Sequence, residues 1–365
     1  MKLVYISTNA VDGGSEVLML QSAAHLVDFY ETYVFTKYNI DVEFYNKKLK
    51  HINYYQKLTL FSKFRNRIKR ETLDLRCTLD KIKPSLVIIS QGSPLASLKE
   101  MEMCISLKLN FVVINQLVCE YHWLDFRDTV LERFINCYQK ASKIFFVSQQ
   151  NESLFKQFFG SDVNTFQINN PVSSKNTDYV PYPEIKDNYQ IAYVGRYEFF
   201  HKGLDLLIES LRDPKWKERN VNFNFFGNGP HKLILQNQIK RYNLYFCSVN
   251  DYTTDIRKVW EKNHLAILTS RFEGKSISIT ESMSFGRACI LTDVGGASEQ
   301  IEDGISGCLI KHFNIESISE TLEIAWQRRN DWEEMGQNAR QKYLQDNKVD
   351  VIDIFNDQLI KLVSV

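Results

Sequence analysis

The chain has 365 residues, long for one domain and comfortable for two of ordinary size, each able to bury its own core. Apolar residues make up 44% and charged residues 24%, a globular composition, and a formal net charge of +1 gives no reason to expect a general nucleic-acid binder. The seven cysteines are widely spaced and never form a C-x-x-C pair, which speaks against a disulfide framework or a zinc site and fits a reducing cytoplasm.

The first segment, MKLVYIST, runs straight into a strand pattern, with too short an apolar run for a signal peptide. Short runs rich in Val, Ile, Phe and Tyr then recur at Leu3 to Ser7, Tyr33 to Thr36, Leu86 to Ser90, Phe111 to Asn115 and Ile144 to Ser148, separated by amphipathic stretches. The series resumes at Ile191 to Gly195, Phe223 to Gly227, Leu265 to Ser270 and Cys289 to Asp293. Such runs read as strands buried on both faces of parallel sheets with helical crossovers, so the fold class is α/β, twice over. No apolar stretch approaches the roughly 18 residues of a membrane span, so the protein is expected to be soluble or peripheral.

Between the two series, Asn169 to Asp187 holds three of the seven prolines and no sustained periodicity, and it reads as a linker with the boundary at residues 175 to 187. The domains are set at 1–180, 188–347 and, for a C-terminal helix, 348–365. After Asp293 the pattern is helical, over Ile315 to Arg328, Asp331 to Gln345 and Val349 to Leu362, with a short strand at Cys308 to Lys311.

One stretch departs from the charge balance. Residues 47–70 hold nine Lys or Arg and no Asp or Glu, and from Leu58 to Arg70 the apolar residues Leu58, Phe61, Phe64 and Ile68 share one helical face. This face could lie on anionic lipid or hold an anionic acceptor; a solvated helix packing its stripe on the domain is the alternative.

Three segments could carry chemistry. In IAYVGRYEFFHKGLDLLIESL, Arg196 and Lys202 stand six residues apart between a strand and a helix opening at Gly203, and could converge on one anion, such as a diphosphate, beside that helix start. In FFGNGP, Gly227 and Gly229 end a strand and permit close approach to a ligand, but Lys232 stands where a dinucleotide fingerprint wants its third glycine. In TSRFEGKSISITESMSFGRACILTDVGGASEQIEDGISG, Glu273 and Glu281 are eight residues apart, the second placed in the first turn of a short helix. Ser278 and Glu281 also satisfy an S-x-x-E capping box, so Glu281 is either a helix cap or a ligand contact. The backbone amides of Gly274, Lys275 and Ser276 near that helix start would form a donor cluster suited to phosphate or sugar hydroxyls.

Taken together, VGR followed by KG, the G-x-G-P turn, S-x-x-E-G with its second Glu, and TDVGGASEQIEDGISG resemble family 4 of the retaining glycosyltransferases, over roughly residues 190–310. The resemblance implies the GT-B fold: two Rossmann-like domains facing across a cleft, with a C-terminal helix crossing back to the N-terminal domain. It implies that Arg196 and Lys202 bind the donor diphosphate and stabilise the charge developing on the leaving nucleotide, in place of a metal. No D-x-D motif that would hold a divalent ion occurs, and no cofactor is expected beyond the nucleotide diphosphate sugar itself. By the same resemblance Glu273 sits at the transferred sugar, Glu281 accepts from the ribose hydroxyls, and the amides after Glu273 complete the donor contacts. Asp12-Gly13-Gly14-Ser15 resembles the family's glycine-rich loop beside donor phosphate and acceptor, with Gly14 on the donor side. Asn115-Gln116 stands where many members carry a His near the transferred sugar, and His122 either serves the cleft or packs locally.

The implied reaction is transfer of a sugar, with retention, from a UDP-linked nucleotide-sugar donor to a hydroxyl of a glycan or lipid-linked glycan acceptor. Its implied setting is bacterial cell-surface polysaccharide or lipopolysaccharide synthesis, with the basic block touching an anionic membrane from the cytoplasmic side. Two rivals stand beside it: a nicotinamide-dependent oxidoreductase, which the missing G-x-G-x-x-G opposes, and a non-catalytic GT-B-like sugar-nucleotide-binding partner of another transferase.

Overall fold

The computed structural model describes residues 1–9, 16–37, 42–54, 74–125, 128–172 and 179–363. Gly13, Gly14 and the amphipathic segment from Leu58 to Arg70 lie outside these residues.

The chain divides into two compact units, residues 1–171 with 349–365, and residues 172–348. In the first, the described strands form a seven-stranded sheet: β1 (Lys2–Ser7), β2 (Glu31–Thr36), β3 (Lys50–Asn53), β4 (Leu86–Gln91), β5 (Phe111–Asn115), β6 (Lys143–Phe146) and β7 (Thr165–Gln167). Their order is β3-β2-β1-β4-β5-β6-β7 and every pairing is parallel. The period of two explains the layering: Leu3 and Tyr5 join one core, Val4 and Ile6 the other. The terminal helix Val351–Val363 closes the first of these cores, with Phe355 edge-on to Phe145 at 4.8 Å and Asn356 Oδ1 accepting from Ser22 Oγ at 2.5 Å.

The second unit repeats the plan with β8 (Tyr189–Val194), β9 (Val221–Phe226), β10 (Cys247–Asn250), β11 (Leu265–Leu268), β12 (Ala288–Thr292) and β13 (Gly307–Ile310), in the order β10-β9-β8-β11-β12-β13. Here too all pairings are parallel. Trp216, Trp260 and Trp332 are fully buried around it. The order reverses between β8 and β11, and in open parallel sheets the crevice outside the carboxyl ends of the strands at such a reversal is the place where ligands bind.

Several details differ from the sequence expectations. The strands β3, β7 and β10 are not among the apolar runs; all three are sheet edges, and KHIN, TFQ and CSVN lack the apolar run that double-sided burial imposes. The division falls after Pro171, and the stretch from Val180 onward is anchored to the second unit instead of hanging as a linker. Val180 is buried, and the carbonyls of Val180 and Pro181 accept from the Arg287 guanidinium at 3.3 and 2.9 Å. In the described part of the basic block, Lys48 and Lys50 pair with Asp28 and Glu31 at 2.5 Å, so acids distant in sequence offset part of its charge.

Candidate functional site

After β8 the chain turns at Gly195 and Arg196, passes a short helix, Phe199–Lys202, and enters the helix Leu204–Ser210. The turn is held from beneath by Tyr197, whose hydroxyl donates to the carbonyls of Phe225 and Asn250 at 2.8 and 2.6 Å. Gly227 belongs to the same arrangement. A Cβ there would lie 2.0 Å from the Gly195 carbonyl oxygen, so the close approach that its missing side chain permits is to the protein's own backbone. Arg196 packs its stem within 3.0 Å of the position a Gly229 Cβ would take, and its guanidinium stands 3.5 Å from Glu198.

The loop after β11, residues 269–276, is locked onto this turn. Arg271 forms a bidentate pair with Asp205 at 2.8 and 2.6 Å and donates to the carbonyls of Phe199 and Phe200 at 3.2 and 2.9 Å. Its amide donates to the His201 carbonyl at 2.9 Å, and the His201 ring stacks on Phe272 at 4.4 Å. At the centre, Lys202 Nζ donates to Glu273 Oε1, the same oxygen that accepts from Ser270 Oγ at 2.7 Å. Both members of the pair are largely covered, with side chains 16% and 15% exposed.

Burial alone would raise the Glu273 carboxyl; the Lys202 charge, joined at acid pH by that of protonated His201, and the bonds from Lys202 and Ser270 outweigh it and hold it below the usual carboxylate range. Burial together with the neighbouring Lys202 ammonium pushes His201 down to about 4, so its imidazole is neutral at pH 7. Lys275 is lowered by burial against the opposing pull of Glu299 and Asp346.

The helix Ile277–Ser284 has Ser276 as its N-cap. Glu281 is therefore the fifth helical residue and 6% exposed, not a first-turn residue, and Ser278 and Glu281 do not form the capping box that their spacing suggests. Ser276 is also not an open donor. Its amide donates to Gln300 Oε1 at 3.2 Å and its carbonyl accepts from Gln300 Nε2 at 2.9 Å, so Gln300 closes this corner. The Gly274 carbonyl accepts from the Gly296 amide at 2.6 Å, which fixes the loop to the TDVGG turn.

In the first unit, Asn115 ends β5 and is completely buried. Its Oδ1 accepts from Gln91 Nε2, which also donates to the Tyr138 hydroxyl at 2.8 Å. His122 lies in a 3₁₀ turn, Glu120–Asp125, and its Nδ1 accepts from the Cys119 amide at 3.2 Å.

The structure thus brings Lys202 and Glu273 into contact, sets Arg196, Gly227, Gly274, Lys275, Ser276 and Glu281 on the elements that frame them, and leaves Asn115 and His122 on the other unit. Sequence reasoning missed His201, Asp205, Ser270, Arg271 and Gln300. Asp205 and Arg271 carry a charge signal, but nothing in their spacing pairs them before the two loops are known to touch.

Chemically the arrangement offers a cation held at a switch point by a carboxylate, with polar loop backbone beside it. Residues 175–342 match the family Glycosyl transferases group 1. The chain is 32% identical over 123 residues to the poly(ribitol-phosphate) alpha-N-acetylglucosaminyltransferase of Staphylococcus aureus, covering 33% of this chain and 25% of that protein. It is 29% identical over 154 residues to one component of the human phosphatidylinositol N-acetylglucosaminyltransferase, covering 41% of this chain and 31% of that protein. The matches thus span about a quarter to a third of these relatives. Among solved structures, Anabaena HepE in complex with UDP and glucose superposes with a TM-score of 0.79 at 18% identity, covering 100% of this chain and 99% of that one.

Proposed function

Because residues 175–342 belong to the glycosyl transferases group 1 family, on a chain with the GT-B fold, we propose that this protein is a retaining, metal-independent glycosyltransferase. It moves a sugar from a UDP-linked donor to a hydroxyl of a glycan acceptor in cell-surface polysaccharide or lipopolysaccharide synthesis. The bacterial and human relatives named above transfer N-acetylglucosamine by their names, and HepE was solved with UDP and glucose, which supports a nucleotide-sugar donor.

The observation that carries the reading is the Lys202–Glu273 pair, which ties the loop after β8 to the loop after β11 at the reversal of strand order. In the reaction the bond from the anomeric carbon to the diphosphate oxygen breaks, and the electron pair leaves with UDP. The acceptor oxygen bonds to the same face of that carbon, and its proton passes to the leaving phosphate. Arg196 and Lys202 stabilise the charge gathering on the diphosphate. Glu273, held ionised by Lys202, accepts from hydroxyls of the transferred sugar, and Glu281 accepts from the ribose. Gly274 and Lys275 contribute loop backbone to the donor contacts, and Gly14 and Gly13 border the phosphate and the acceptor. Asn115 and His122 belong to the acceptor side.

The site of action is the cytoplasm, with residues 47–70 resting on anionic lipid at the membrane's inner face. Among the described residues no helix is long and apolar enough to cross a membrane. The test is incubation of the protein with a panel of UDP-sugars and glycan acceptors, following UDP release and the anomeric configuration of the product by NMR. The proposal expects transfer with retention in the presence of a chelator. Inversion would overturn the mechanism, and binding without either transfer or hydrolysis would favour a non-catalytic sugar-nucleotide-binding partner.

A further inference from the structure

Thr292 ends β12 with its side chain 3% exposed, and no protein group bonds to its Oγ1. A buried hydroxyl with no partner is a cost that folded proteins rarely carry. Thr292 also lines a small cavity beneath the loop after β11, with Ser270, Glu273, Ser276 and Gln300 as its other polar walls and Leu268 among its apolar ones. The cavity measures about 10 Å³, the size of one water molecule and far too small for a sugar ring.

Most of the polar walls are engaged with one another. Ser270 Oγ donates to Glu273, and Gln300 is spent on the Ser276 backbone and on Thr280 Oγ1 at 2.9 Å. The Thr292 hydroxyl is the group that still calls for a partner, and the cavity's walls include the carboxylate whose orientation the reaction depends on.

We propose that a single buried water links Thr292 Oγ1 to the Glu273 carboxylate, making Thr292 a positioning residue for Glu273. The hydroxyl donates to or accepts from the water, and the water donates to the carboxylate. Glu273 is then held from two sides, by Lys202 and Ser270 directly and by Thr292 through the water. The role in turnover rests on the glycosyltransferase reading; the water itself does not.

The test compares Thr292→Val, which keeps the shape and removes the hydroxyl, with Thr292→Ser, which keeps the hydroxyl, in the full chain. Thermal melting comes first. A hydroxyl without a partner is better replaced by a methyl, so Val would raise or preserve the melting temperature; a water-bridged hydroxyl gives the opposite sign. The expected result is a fall of roughly 2–4 °C for Val and a smaller one for Ser. A melting temperature for Val at or above that of the wild type would overturn the water.

Kinetics follow with whichever UDP-sugar turns over. Val is expected to lower kcat about three- to tenfold with the donor KM within twofold, and Ser to restore kcat. Unchanged kcat, or a loss confined to KM, would overturn the positioning role. Failure of every donor to turn over would count against the glycosyltransferase reading and leave the melting comparison standing.

Discussion

Lys202 Nζ donates to Glu273 Oε1 across two loops that are 71 residues apart in sequence, and each side chain is no more than 16% exposed. Removing one charge leaves the other covered and without its counter-ion. Lys202→Met is expected to lower the unfolding free energy by about 2–3 kcal/mol, less than the roughly 3–5 kcal/mol of a fully buried pair because water still reaches both groups. Glu273→Gln strands the Lys202 charge in turn but keeps an amide oxygen that can accept from it, so it should cost less, and the double variant should recover about 1 kcal/mol relative to the sum of the singles. Chemical denaturation of the four proteins checks this, and strict additivity would show that the pair is not coupled.

The same corner sets an acid limit on stability. His201 is driven down to about 4 by burial and by Lys202, so the unfolded chain binds a proton near pH 6.5 that the folded one refuses. Stability from this source is complete above about pH 6.5 and is lost as the pH falls toward 4, by up to about 3 kcal/mol. Glu273 adds to the loss lower down: its carboxyl is held below the usual range, so its contribution is present above about pH 4.3 and disappears as the pH drops through its folded value. His201→Phe keeps the stack on Phe272 and should flatten the melting temperature between about pH 6.5 and 4.5. An unchanged slope would mean that other groups set it.

Gly295 is held at φ +58°, and a Cβ there would lie 2.0 Å from the Glu273 carbonyl oxygen and 2.7 Å from that of Gly274. Gly295→Ala must therefore move the backbone of the loop after β11. A loss of more than about 2 kcal/mol is expected, since the left-handed conformation alone costs about 1–2 kcal/mol for a residue with a Cβ. Nucleotide-induced stabilisation should vanish with it. Full retention of that stabilisation would separate the TDVGG turn from the site.

Arg287 is 1% exposed and donates to six carbonyls, those of Val180, Pro181, Trp260, Asn263, Phe285 and Gly286. Burial lowers its guanidinium to about 10, which still leaves it charged at pH 7. Arg287→Met fills the space but strands the carbonyls, and about 3–5 kcal/mol of stability should go. Arg287→Lys, with three donors on one nitrogen, should recover only part. Equal stability of the Met variant, measured by circular dichroism, would mean that water satisfies those carbonyls as well as the guanidinium does.

The central strands were legible because burial wrote itself into composition. LVYIS and FVVIN are apolar on both faces because both faces are covered, and they read as strands without help. The edge strands KHIN, TFQ and CSVN meet a neighbour on one side only, so no run of apolar residues was required and none is present. The glycine turns and charged residues of the loops after β8 and β11 were legible because they repeat a fixed spacing along the chain. Their mutual contacts were not. The Arg271–Asp205 lock, the Ser276–Gln300 closure and the stacking of His201 on Phe272 depend on which loops meet in space. Glu281 shows the limit in the other direction: an S-x-x-E spacing fitted a capping box, but the helix starts at Ile277, and the residue falls inside it.

The most direct measurement is the thermal shift produced by UDP on the wild-type protein, on Arg196→Ala and on Glu281→Ala, each with and without a chelator. Ligand binding to the folded state raises the melting temperature by mass action. A metal-independent donor site at these residues predicts a clear rise for the wild type that the chelator leaves intact and that both substitutions largely remove. A full shift in both variants, or one abolished by the chelator, would contradict it.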